Sequence, residues 1–124
     1  MAGQRRTIGW KLDPAQRAEL LARFEPRCPD VIADHVTLES RTQAPLPGPV
    51  TAAIVGEAGD GSLQAMIVAI DGTTDRPDGS SYHITWSLDR AAGRRPVQSN
   101  DVIRERGWTP LPDPIPISLE PAII

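Results

Sequence analysis

Two stretches of this chain repeat one pattern, and any fold it adopts must satisfy both: Asp34-His35-Val36-Thr37-Leu38 and Tyr82-His83-Ile84-Thr85-Trp86. Each sets out a histidine, an aliphatic residue, a threonine and another apolar residue, and the chain has no further histidine. Both are short, rich in β-branched and aromatic residues and bounded by loop-like sequence, which predicts strands. Side chains alternate faces along a strand. His35 and Thr37 therefore share one face and Val36 and Leu38 the other, while His83, Thr85 and Ser87 oppose Tyr82, Ile84, Trp86 and Leu88. Each strand offers a core an apolar face and keeps an imidazole and a hydroxyl on the other. Two such strands side by side would line one cleft with two histidines and two threonines.

The remaining elements are predicted around this pair. Ile8, Trp10 and Leu12 alternate, giving a first strand over residues 7–12. Asp13-Pro14-Ala15-Gln16 starts a helix, with Asp13 as cap, Pro14 at the first helical position and Gln16 in the reciprocal capping position. The helix is expected to reach Phe24 with Ala18, Leu20, Leu21 and Phe24 inward, and Pro26 ends it. The first motif strand is placed at residues 31–39, followed by a proline-rich loop over 40–49. Residues 50–58 and 63–70 form a hairpin about Gly59-Asp60-Gly61-Ser62, with the second strand the most buried. Residues 71–80 read as a solvated polar loop, since the spacing of its three aspartates matches no calcium loop. Ser99 or Asn100 caps a short helix that runs through Arg106 and stops at Gly107, with Trp108 packed over the join. The five prolines of residues 110–124 imply an edge strand or an extended covering segment.

Composition narrows the function classes. A length of 124 residues with 40% hydrophobic content suits one compact domain, expected over residues 1–124. A net charge of -3 argues against a protein that coats nucleic acid. Twelve of the thirteen cations are arginine, however, and they cluster enough to leave room for a local anion site. No apolar run is long enough to span a membrane, and none follows the N-terminal Met1-Ala2-Gly3-Gln4-Arg5-Arg6 as in a signal peptide, so a cytoplasmic protein is expected. Cys28 is the single cysteine, which excludes an internal disulfide and a cysteine-based zinc site.

The candidate chemistry follows from the paired histidines. Two imidazoles facing one cleft permit concerted catalysis, one removing a proton while the other donates one. A phosphodiester suits such a pair, because attack at phosphorus needs an activated oxygen on one side and a protonated leaving oxygen on the other. Thr37 and Thr85 are placed to donate to the phosphate oxygens. Arg41, in the loop after the first motif, and Arg94 and Arg95, in the basic stretch after the second, carry guanidinium forks that match phosphate. No metal or other cofactor is required, and two histidines alone are too few ligands for one. The plainer alternative leaves both histidines as strand residues satisfied by neighbouring backbone.

The two His-x-Thr-x elements resemble those of the two-histidine phosphoesterase superfamily, which includes 2',3'-cyclic phosphodiesterases of RNA processing. The second motif, followed by Arg95-Pro96-Val97 and Ser99-Asn100, is similar to its compact branch. The resemblance implies an α+β fold of two lobes, with antiparallel sheets flanked by one long and one short helix and the motif strands facing a central cleft. It implies catalytic roles for His35 and His83 and phosphate binding by Thr37 and Thr85. The expected function is metal-independent hydrolysis of a 2',3'-cyclic phosphate or related cyclic nucleotide, with a small cyclic nucleotide or RNA terminus as substrate. The alternative is a module that binds phosphorylated nucleotide or RNA ends without turning them over. The motifs lie closer together than in larger members, which favours a small or terminal substrate. Oligomeric state and the assignment of acid and base stay open.

Overall fold

In the computed structural model, which describes residues 4–124, the chain builds two antiparallel sheets and two helices. Residues 1–3, the start of the basic N-terminal tip, lie outside the described residues. Strand β1 (Arg6–Leu12) buries Ile8, Trp10 and Leu12 as their alternation requires. Helix α1 (Pro14–Arg23) begins where predicted, the Asp13 carboxylate accepting the Gln16 N–H at 2.9 Å. Gln16 itself does not reach back to the cap. Its side chain donates to Pro116 O at 2.8 Å and accepts from Ser118 N–H at 2.6 Å, tying the helix to the C-terminal strands. Ala18 proves exposed, contrary to expectation, because the inward stripe of α1 is Arg17, Leu20, Leu21 and Phe24 at helical spacing.

The expected strand over 31–39 is two strands in two different sheets. Strand β2 (Asp30–Val31) pairs with the second motif strand, and β3 (His35–Thr42) pairs with β1. Ala33, at φ 43°, turns the chain between them. Strand β3 also runs three residues into the stretch expected as loop, where Thr42 pairs with Arg6. Next come β4 (Ala52–Gly59) and β5 (Leu63–Ile70), the predicted hairpin, with every β5 residue but Ala69 buried. The second motif forms β6 (His83–Leu88), helix α2 follows at Ser99–Arg106, and β7 (Thr109–Ile117) and β8 (Leu119–Ile123) close the chain.

The sheet orders are β3-β1-β8 and β2-β6-β5-β4-β7, so each sheet carries one motif histidine. The proline-rich strands β7 and β8 each take an edge, where a missing N–H disrupts least. A main core unites both sheets: Trp10, Leu12 and Val36 from the smaller pack with Ile54, Met66, Val68, Ile84 and Trp86 from the larger. The opposite face of the larger sheet packs Leu63, Ala65, Ile67 and Leu88 against Val102 and Ile103 of α2.

Leu88 reaches that second core because β6 breaks its alternation. Gln64 pairs with Ser87 but Ala65 with Thr85, so an extra residue, Trp86, is accommodated opposite one step of β5. Beyond this bulge Ser87 and Leu88 exchange faces. Ser87, expected beside the histidine, instead bonds the Gln64 side chain at 2.7 Å and the Cys28 N–H at 3.2 Å.

Candidate functional site

Strand β2 covers only Ser87 and Leu88 of β6 and leaves its histidine end open. Ile32 and Ala33 lie along that end, donating to Trp86 O at 3.0 Å and Thr85 O at 2.9 Å. The turn at Ala33 then delivers β3 with His35 as its first residue, next to β6 with His83 as its first. A cavity of about 230 Å³ results, and its walls include His35, Thr37, His83, Thr85, Arg76 and Asn100.

Both imidazoles are held at Nδ1 by neighbours in their own segments. His83 Nδ1 lies 3.0 Å from Ser81 O, and a carbonyl only accepts, so Nδ1 carries the proton and Nε2 keeps the lone pair in the neutral ring. His35 Nδ1 donates to Asp34 Oδ2 at 3.1 Å, and Lys11 approaches the same oxygen at 3.7 Å. His83 is 8% exposed. Its burial holds its pKa below the ordinary value of 6.5; the bond to Ser81 opposes this, and electrostatic repulsion from Arg76 and from the neighbouring His35 ring reinforces it.

The threonines differ. Thr37 is partly exposed on β3. The Thr85 hydroxyl sits 2.8 Å from Ser99 Oγ, the first residue of α2, and also reaches Pro96 O at 3.3 Å. It can serve a ligand by exchanging the weaker of these bonds.

The three arginines expected at the site lie elsewhere. Arg41 is exposed near the end of β3 at φ 52°. Arg94 is committed to the β4–β5 turn, where it pairs with Asp60 and donates to Ser62 Oγ at 2.8 Å. Burial pushes the Asp60 carboxyl up, but the Ser62 N–H and the Arg94 charge outweigh it and hold the pKa below the usual value. Arg95 is exposed, its backbone N–H bonded to Gln98 Oε1. None of the three lines the cavity.

The cation that does line it is Arg76, from the loop read as solvated. Its side chain is only 9% exposed and grips Asp78 through Nε at 3.2 Å and a terminal nitrogen at 2.6 Å. Ser80 adds two bonds to the same carboxylate, so the Asp78 pKa lies well below the usual carboxylate range, the Arg76 hydrogen bond being the largest cause. The sequence Arg76-Pro77-Asp78-Gly79 signals a turn, since Pro-Asp-Gly is turn chemistry, but nothing local marks Arg76 as the cation that faces the cavity. Among the described residues no group of three or more His, Cys, Asp or Glu side chains is arranged to hold a metal ion. No described helix is long and apolar enough to cross a membrane.

No protein-family model, curated protein or solved structure matches the chain.

Proposed function

We propose that the chain is a metal-independent phosphodiesterase of the two-histidine type, opening a 2',3'-cyclic phosphate or related cyclic nucleotide phosphodiester. The observation that carries this reading is the single cavity lined by His35, Thr37, His83 and Thr85. In the proposed reaction a water oxygen attacks phosphorus and its proton passes to one imidazole. One P–O bond to the ribose breaks, and the leaving oxygen takes a proton from the other imidazole.

The ring environments support a division of labour. His83 has a lone pair at Nε2 and is held neutral by burial, which fits the proton acceptor. His35, lying against the Asp34 carboxylate, fits the donor. Thr37, Thr85 and Arg76 receive the non-bridging oxygens, where negative charge builds. Arg76 replaces Arg41, Arg94 and Arg95 in this role because it alone of the four lines the cavity.

Phosphorus NMR in EDTA tests the reading, with 2',3'-cyclic nucleotides, cyclic-phosphate oligoribonucleotides and cyclic dinucleotides given to wild type, His35→Ala and His83→Ala. Turnover by wild type that falls about 10²-fold or more in either variant is expected. Absence of turnover, with binding undiminished in both variants, would replace the enzyme with a module that holds phosphorylated ends.

A further inference from the structure

Beside the histidine cavity lies a larger one of about 620 Å³, between the turn that carries Arg76 and Asp78, helix α2 and Trp108. Arg76 and Asn100 line both, so the two share a wall. The histidine cavity falls below the roughly 300–1,000 Å³ of small-molecule sites and the larger one falls within it. A substrate whose phosphate sits between the histidines has this second space beside it for the rest of its body.

Trp108 gives that space its chemistry. Trp10 and Trp86 are buried, with their indole N–H groups donating to Gly48 O and Phe24 O. Trp108 is 36% exposed, and among the described residues its N–H has no hydrogen-bond partner. The ring is nevertheless seated, because Gly56 of β4 lies so close beneath it that a Cβ at position 56 would collide with it. At the shared wall, Asn100 donates Nδ2 to Val97 O while its Oδ1 is shut from solvent without a partner among the described residues. Such an acceptor is costly to leave unpaired.

We infer that the larger cavity is a nucleobase subsite, with Trp108 stacking on the base of a nucleotide whose phosphate occupies the histidine cavity. The inference rests on the phosphodiesterase reading for the position of that phosphate. Stacking on an aromatic face accepts any base, so the subsite selects nucleotides over other phosphate esters without selecting sequence.

The test titrates the full chain with adenosine 3'-monophosphate and with ribose 5-phosphate, read by calorimetry and tryptophan fluorescence. Wild type is expected to bind the nucleotide roughly tenfold more tightly, with quenching. Trp108→Leu should keep its fluorescence from Trp10 and Trp86 but lose the quenching and the preference, and Trp108→Phe should restore most of the preference. Gly56→Ala, which displaces the ring without removing it, should weaken the preference; circular dichroism checks that each variant is folded. Equal binding of the two ligands by wild type, or a preference that survives in folded Trp108→Leu, overturns the subsite. Base preference without hydrolysis of any cyclic phosphate upholds the subsite and overturns the enzyme; hydrolysis without base preference does the reverse.

Discussion

His83 shows how one side chain links stability to the proposed chemistry. Its folded pKa lies below 6.5 because burial disfavours the charged ring, so in the acid range the unfolded chain binds the proton more readily. The neutral ring's contribution is fully present above pH 6.5 and is lost as pH falls from there through the lowered folded value. Thermal melts across this window should show wild type losing stability with acid and His83→Gln losing less. Parallel curves would place the burial elsewhere. The Asp78 and Asp60 carboxyls, also lowered, begin to cost stability only as pH falls below their ordinary value of 3.8, whereas the His83 window opens at 6.5. Arg76 can be examined on the same ring. Removing its charge in Arg76→Met should raise the His83 pKa in an NMR titration yet leave it below 6.5, since burial is the largest cause. The same variant should weaken binding of a phosphorylated ligand, and Arg76→Lys should not restore it, because an ammonium does not reproduce the two-point grip on Asp78.

At the scale of elements, the approach of β1 to β3 sets where the first histidine stands. Gly9 pairs with Thr37 where the register shifts, and a Cβ there would strike the carbonyl of Val36. Gly9→Ala should therefore destabilise by about 1–3 kcal/mol, as overpacking against backbone does. Gly61→Ala, in open space at the β4–β5 turn, should change stability by less than about 0.5 kcal/mol. Urea unfolding of the two variants measures the contrast, and equal shifts would contradict the close approach. Elements governed by local rules were legible in the sequence: β1 by alternation, α1 by its Asp13-Pro14 start, the β4–β5 hairpin by Gly-Asp-Gly-Ser. What escaped depends on distant partners. Nothing local marks Ala33 as the point where one apparent strand divides between two sheets, and the bulge that turns Ser87 away from His83 is visible only against β5. The four motif residues meet because their spacing along each strand is local and survives such errors. The cations did not follow, because nearness in sequence to a motif is a poor guide to which loop folds over it.

Across the whole molecule, the relative placement of the two motif strands depends on a crossover of three residues, Ile32, Ala33 and Asp34, between β2 and β3. The N–H groups of Ile32 and Ala33 bond to β6, and their carbonyls both accept from Arg17 of α1, at 3.1 and 2.8 Å. One guanidinium thus fastens the segment that joins the sheets, while Gln16, one residue earlier, holds the join between β7 and β8. The main core crosses the same boundary, with Trp10 and Val36 of one sheet packed among Ile84 and Trp86 of the other, so neither sheet keeps its buried face if the other leaves. Urea unfolding followed by fluorescence and circular dichroism should give one coincident transition, and two separate transitions would show that the sheets fold as independent units. Arg17→Leu keeps the apolar stem and removes two charge-assisted bonds, leaving two carbonyls to find other donors. It should cost about 1.5–3 kcal/mol while the transition stays single. If the Arg17 contact also fixes the distance between His35 and His83, turnover of a cyclic phosphate in the folded fraction should fall further than this loss of stability explains. Turnover unchanged per folded molecule would mean that core packing alone sets the spacing of the two histidines.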